Sequence, residues 1–237
     1  MFSAEQKVAV ITGASQGIGA GLVAGYRKLG YGVVATSRGI EPSRDPDVVT
    51  VQGDIADPAT AERVIAAGVE RFGRVDTLVN NAGVFVAKPF TEYTEDDYET
   101  VTGVNLNGFF RITQLAVERM LVQGGGHVVQ VTTSLVDHAS SDVTSVLASL
   151  TKGGLQSATK ALAIEYARQG IRSNAVALGT IRTPMHPEAY HEVLAAMHPL
   201  GKLGEVDDVV QAVMYLEGAS WVTGEILAVD GGQSAGR

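Results

Sequence analysis

The residues with the clearest chemical purpose lie at the start of the chain. Val8–Thr12 is a β-branched apolar run that leads directly into Gly13-Ala-Ser15-Gln16-Gly17-Ile18-Gly19, and a helical stretch follows. A strand feeding a glycine-rich turn at a helix N-terminus makes an anion site. Free backbone N–H groups and the positive end of the helix dipole point outward, and the glycines let a diphosphate approach the main chain. The spacing here is G-x-x-x-G-x-G rather than the G-x-G-x-x-G of many dinucleotide turns. At the end of the second strand, dinucleotide binders carry an acid where a ribose 2′-hydroxyl is held and a basic residue where a 2′-phosphate is held. This chain has Thr36-Ser37-Arg38-Gly39 there and no acid before Glu41. Arg38 with Ser37 suits a 2′-phosphate through charge-assisted hydrogen bonds, so the expected cofactor is NADP(H), with NAD(H) as the alternative. Asp54, followed by Ile55, stands after the third strand where it can accept from an adenine amino group. Asn80-Asn81-Ala82-Gly83 ends the fourth strand, where amide side chains can fix the backbone beside a cofactor.

The elements that position these residues alternate along the chain. Strand-like runs are expected at Val8–Thr12, Gly32–Thr36, Val48–Val51, Thr77–Asn80, His127–Thr133, Ile171–Leu178 and Ile226–Val229. Helices are expected at Ala20–Leu29, from Pro58 to about Phe72, from Thr94 to about Gln123, over Ser145–Gln169, and from about Glu205 to Leu216. Strands separated by helices of this length form βαβ units and a doubly wound parallel sheet with helices on both faces. The strand runs are apolar throughout rather than alternating, as both-sided burial requires. No composition break marks a linker, so residues 1–237 read as a single domain of α/β class. The stretch 179–204, with Pro184, Pro187, Pro199 and three histidines, reads as a lid over a binding site.

Composition narrows the function. The 237 residues are 45% apolar and 19% charged, as in a globular domain, and the net charge of −8 disfavours nucleic acid or an anionic membrane as partner. Without cysteine there is no disulfide, thiolate metal site or thiol nucleophile. His186, His191 and Glu192 lack the spacing of a metal site, since the histidines are five apart and do not share a helical face. The first residues carry charges at Glu5 and Lys7 and too short an apolar run for a signal peptide or a span, so a cytoplasmic location is expected.

Taken in order, these motifs resemble the short-chain dehydrogenase/reductase family over nearly the whole chain. The likeness rests on TGASQGIG (Thr12–Gly19), Asp54, NNAG (Asn80–Gly83), Asn105 in VNLNG, Ser134 after the strand VVQVTT, and Lys152 opening a long helix. Gly179 with Thr183 four residues later, and VDGG (Val229–Gly232), complete it. The resemblance implies a Rossmann-like sheet of seven strands, a nicotinamide cofactor, hydride transfer to or from a small-molecule carbonyl or alcohol, and a homotetramer or homodimer. It also implies that Ile181 and Thr183 lie at the nicotinamide end and that Lys152 holds the ribose hydroxyls. Ser134 would polarise the carbonyl, and Asn105 would support a proton-relay water. Leu178 stands where members of the family often have proline.

One part of the implied machinery is missing. The family pairs the lysine with a tyrosine four residues earlier, on the same helix face, as the proton donor. Here that position is Ala148, and the position seven before the lysine is Ser145. Tyr166 is fourteen residues past Lys152, about 21 Å along a helix, and out of reach. Three readings follow. Another group supplies the proton: His138, a lid histidine (His186, His191 or His198), or water relayed through Lys152. Alternatively the protein binds the cofactor with little turnover, or it is a family enzyme whose tyrosine has been substituted.

Overall fold

The computed structural model describes residues 6–236; the charge reading at Glu5 lies outside the described residues. Seven strands form one parallel sheet: β1 (Val8–Thr12), β2 (Gly32–Ser37), β3 (Val48–Gln52), β4 (Thr77–Asn80), β5 (Gly126–Thr133), β6 (Ile171–Leu178) and β7 (Ile226–Val229), in the order β3-β2-β1-β4-β5-β6-β7. The class expected from the alternating pattern is the one observed. Successive residues of β1 belong to opposite cores. Ala9 and Ile11 pack with α1 (Gly17–Lys28) and α7 (Val206–Gly218), while Val8 and Val10 pack with α2 (Pro58–Phe72) and α4 (Phe109–Gln123). Burial on both faces is why the strand has no polar alternation.

The order of strands reverses beside β1. β2 lies on one side of it and β4 on the other, so the chain leaves their carboxyl ends in opposite directions and opens a crevice there. The helix expected over Thr94–Gln123 is two helices, α3 (Glu95–Thr102) and α4, joined by a π-helical turn Gly103–Gly108. A Cβ on Gly108 would lie 2.9 Å from Ile55 Cγ2 and 3.0 Å from the Ile55 carbonyl oxygen, so the turn packs directly on the loop after β3. Lys152 is carried by α5 (Val146–Tyr166), which packs on β5 and β6.

The stretch 179–204 is closed at its base by a parallel bridge between Ile181 and Gly204. It holds the short helix α6 (His191–Ala196). His198 fastens it: buried to 3% exposure, its Nε2 accepts from the Thr180 N–H at 2.9 Å and its Nδ1 donates to the Leu194 carbonyl at 2.9 Å.

Candidate active site

A cavity of about 1120 Å³ opens along the carboxyl ends of the strands. Its first wall is the turn between β1 and α1. Gly13 and Gly17 have positive φ, and a Cβ on Gly19 would collide with the Gly13 carbonyl oxygen, so only glycine fits this path. Gln16, the residue capping α1, makes no side-chain cap hydrogen bond, and the first turn holds no acid, which leaves the N–H groups open toward the cavity. Thr12 and Asn81 lock the turn to β4. Thr12 Oγ1 accepts from the N–H of Asn81 (3.1 Å) and of Ala82 (3.0 Å), while Asn81 Nδ2 donates to the carbonyls of Thr12 (2.9 Å) and Gly13 (3.1 Å).

The ends of β2 and β3 make the next wall. The hydroxyls of Thr36 and Ser37 are buried and have no hydrogen-bond partner. Arg38 follows them, exposed and outside every ion pair among the described residues. Buried hydroxyls without partners are uncommon in folded proteins. Two of them beside an uncommitted guanidinium fit an anionic group with several acceptor oxygens. Asp54 and Ile55 line the same end, with Asp54 Oδ1 accepting the Ala56 N–H at 3.0 Å.

At the other end stand Gly83, Lys152, Ala148, Gly179, Ile181 and Thr183. Lys152 Nζ donates to the Val131 carbonyl at 2.8 Å and approaches Gly83 so closely that a Cβ there would lie 2.9 Å from it. Burial, with no compensating carboxylate, lowers the lysine from its ordinary 10.5 to about 8. Thus, apart from Asn80, the residues expected at the cofactor line one cavity, from Gly13, Ser15, Gln16, Gly17, Ile18 and Gly19 to Thr183.

The structure revises several of the other expectations. Ser134 does not line the cavity. It is buried to 1% exposure, and its hydroxyl sits 3.2 Å from the Leu178 carbonyl and 3.0 Å from Gln233 Oε1. The hydroxyl-bearing residue there that does line the cavity is Thr133, the last residue of β5, whose Oγ1 accepts from the Leu135 N–H at 3.3 Å; Ser134 follows it as the first residue of a 3-10 turn. Asn105 is also absent from the wall. Its amide grips Val84, accepting from the N–H at 3.0 Å and donating to the carbonyl at 3.1 Å, and also donates to Thr151 Oγ1 at 3.1 Å. Asn80 belongs to the core, where it donates to Thr113 and Gln130. His138 lines a separate pocket of about 150 Å³ with Ser140, Ser141 and Pro199. Of the lid histidines only His186 reaches the main cavity, together with Tyr190 of the same stretch. His191 instead bridges Arg182 and the His186 carbonyl. Gln233 also reaches the wall, and no spacing rule pointed to it.

A glycine-locked anion cradle at the switch point of a doubly wound sheet, with a buried lysine at the far end of the same cavity, is the arrangement of a dinucleotide-dependent oxidoreductase. Residues 13–234 match the family described as enoyl-(acyl carrier protein) reductase. The chain is 34% identical over 246 residues to the 3-oxoacyl-[acyl-carrier-protein] reductase FabG of Thermotoga maritima, covering 96% of this chain and 98% of that one. Its fold is similar to that of ElxO solved with NADP bound (TM-score 0.90, 29% identity, 98% of this chain and 100% of that chain). It is equally similar to that of 3-ketoacyl-(acyl-carrier-protein) reductase from Brucella melitensis complexed with NADH (TM-score 0.90, 30% identity, the same coverage). The chain belongs to the short-chain dehydrogenase/reductase family. It is an oxidoreductase that passes a hydride between a nicotinamide cofactor and a carbonyl or alcohol carbon.

Proposed function

We propose that the protein is an NADP(H)-preferring reductase of neutral carbonyl compounds in which Ala148 stands at the family's tyrosine position. The observation that carries the cofactor preference is the buried, partnerless Ser37 hydroxyl next to the exposed Arg38 guanidinium. In this reading the N–H groups of the Gly13–Gly19 turn and of the first turn of α1 hold the pyrophosphate, and Ser37 and Arg38 hold the 2′-phosphate. Asp54 and Ile55 flank the adenine, and Asn81, Ala82, Gly83 and Lys152 hold the nicotinamide ribose. Gly179, Ile181 and Thr183 shape the nicotinamide end. The bound cofactor supplies the hydride. Thr133 orients the carbonyl in place of the Ser134 expected from the family pattern, because Thr133 lines the cavity and Ser134 does not. Asn105 serves by holding the Val84 backbone rather than by facing the substrate.

The substrate end is lined by Phe85, Val143, Met185, Val193, Leu194 and Met197, and its one carboxylate is Asp142. Such a wall favours an apolar, uncharged carbonyl compound, and residues 179–204 act as its lid. A homo-oligomer belongs to the same proposal, supported by Phe110 and Val122 on α4 and Val146, Leu150 and Ile164 on α5, all exposed apolar side chains. So does a cytoplasmic location, where the cofactor can be re-reduced between turnovers. Ala148 favours a second reading, cofactor binding with little turnover. Calorimetric titration with NADPH and NADH, followed by NADPH oxidation in the presence of ketones, tests both. Tighter binding of NADPH with ketone-dependent oxidation supports the reductase; tight binding without oxidation supports the second reading.

A further inference from the structure

The cavity lacks a phenol one turn before Lys152, yet reduction of a carbonyl still requires a proton at the oxygen. The described residues offer few donors. The titratable side chains on the cavity wall are Arg38 and Asp54 at the adenosine end, Asp142, His186 and Tyr190 at the lid end, and Lys152 between them. Arg38 and Asp54 stand at the adenosine end, away from the reacting carbon, and Asp142 is exposed on the loop after β5. His186 is tied back to its own loop by Nδ1, which donates to the Ile181 carbonyl at 2.8 Å. Tyr190 is 60% exposed on the lid.

Lys152 is different. It faces the Val131 carbonyl from β5, Gly83 from the loop after β4 and Ala148 from its own helix, and none of these carries a charge. One of its three N–H groups is committed to Val131. Ala148, four residues earlier on the same helical face, lines the same cavity and presents only a methyl group, so no side-chain hydroxyl at that position stands between the ammonium and the cavity.

We propose that Lys152 is itself the general acid of this site, passing a proton through solvent over the Ala148 methyl group to the substrate oxygen. The proposal rests on the reductase reading above. The carbonyl carbon gains the hydride, its C=O π-pair becomes the new O–H bond, and the proton leaves Lys152 as a neutral amine, which solvent reprotonates. The lysine fits the task because burial brings it to about 8, close to working pH, whereas an ordinary lysine holds its proton too firmly. Arginine at the same position would keep the charge and withhold the proton.

The test has two arms. In the cofactor-free protein, acetylation of Lys152 by acetic anhydride is followed against pH by peptide mass spectrometry, since only the neutral amine reacts. A midpoint near 8 is expected; a midpoint above 10 overturns the proposal. In the second arm, single-turnover reduction of acetophenone and 2-octanone by NADPH is measured from pH 6 to 10. The wild-type rate should fall tenfold per pH unit above about 8. Lys152→Arg should lose at least a hundredfold at every pH while still binding NADPH. Lys152→Arg reducing either ketone at the wild-type rate, or Tyr190→Phe losing as much as Lys152→Arg, overturns the proposal alone. Tight NADPH binding with no reduction of either ketone, when Lys152 titrates near 8, overturns the reductase reading and the proposal with it.

Discussion

Replacing Arg38 by alanine should separate the two nicotinamide cofactors. The guanidinium is exposed and outside the ion pairs of the described residues, so its removal should cost the free protein almost nothing. A hydrogen bond to a charged group contributes about 1.5–3 kcal/mol. Exposure and salt screening place this one at the lower end. About 1.5 kcal/mol corresponds to roughly a tenfold weaker NADPH complex. NADH, with no 2′-phosphate, should change by less than about twofold. Ser37→Ala sharpens the argument. Its Oγ is buried without a partner, so the substitution removes an unsatisfied polar atom and should leave the free protein as stable as before or slightly more so. NADPH should nevertheless bind about two- to tenfold more weakly, the worth of a neutral hydrogen bond of 0.5–1.5 kcal/mol. Calorimetry at two salt concentrations reads both effects, and the Arg38 increment should shrink at the higher one. Equal losses for NADPH and NADH in Arg38→Ala would refute the assignment of this corner to the 2′-phosphate.

Three further predictions concern other parts of the fold. Thr133→Val should reduce kcat by about a hundredfold or more, on the scale of an oxyanion donor, whereas Ser134→Ala should cost about 1 kcal/mol of stability and little activity; steady-state kinetics with urea denaturation on both variants distinguishes them. Glu217 accepts from Tyr26, Tyr31, Thr77 and His127, which hold it ionised down to about 2 despite its burial, so Glu217→Gln should cost on the order of 3–5 kcal/mol by leaving buried donors unpaired. Its contribution is present above the unfolded value near 4.5 and is lost as pH falls from there toward 2. His127 adds an earlier loss: burial keeps its ring neutral, and its Nε2 lies 3.0 Å from Asn174 Nδ2, which donates to it, so stability should begin to decline below about pH 6.5, measured as the urea midpoint against pH. Finally, His198→Ala removes the acceptor of the Thr180 N–H and the fastening to Leu194; hydrogen exchange within 185–200 should accelerate while exchange in β1 stays unchanged.

How much of this could be read from the chain depends on whether the constraint acts on local backbone or on distant side chains. Val8–Thr12, Pro58–Phe72, Thr77–Asn80 and Ile171–Leu178 have their expected bounds because both-sided burial and a proline at the first helical turn leave a strong local pattern. The anion cradle was legible for the same reason: its path requires glycine at Gly13, Gly17 and Gly19, and that requirement is written in consecutive residues. The substrate end was less so. Ser134 follows β5 as the first residue of a 3-10 turn, so no strand period indicated its side-chain direction, and it packs against Leu178 and Gln233 while Thr133 lines the cavity. His138 stood near Ser134 in sequence, yet the loop after β5 carries it into a different pocket.

The Glu217 cluster left no trace in the sequence at all. Its donors come from α1, the turn after α1, β4 and β5, at positions 26, 31, 77 and 127, and no spacing links them. They converge at the amino-terminal edge of the sheet, opposite the cavity, because β1, β4 and β5 are adjacent and parallel, which brings the starts of distant segments together. The same parallel arrangement assembles the active cavity at the other edge from the strands' carboxyl ends. The two edges then differ in what their polar groups lack. At the Glu217 edge each donor has found its acceptor, as stability requires. At the cavity edge the hydroxyls of Thr36 and Ser37 have none, and Lys152 has no counter-charge. Polar groups left unsatisfied at one edge of a sheet whose other edge satisfies them support the proposed reading, in which Thr36 and Ser37 meet the phosphate end of the cofactor and Lys152 the reacting end.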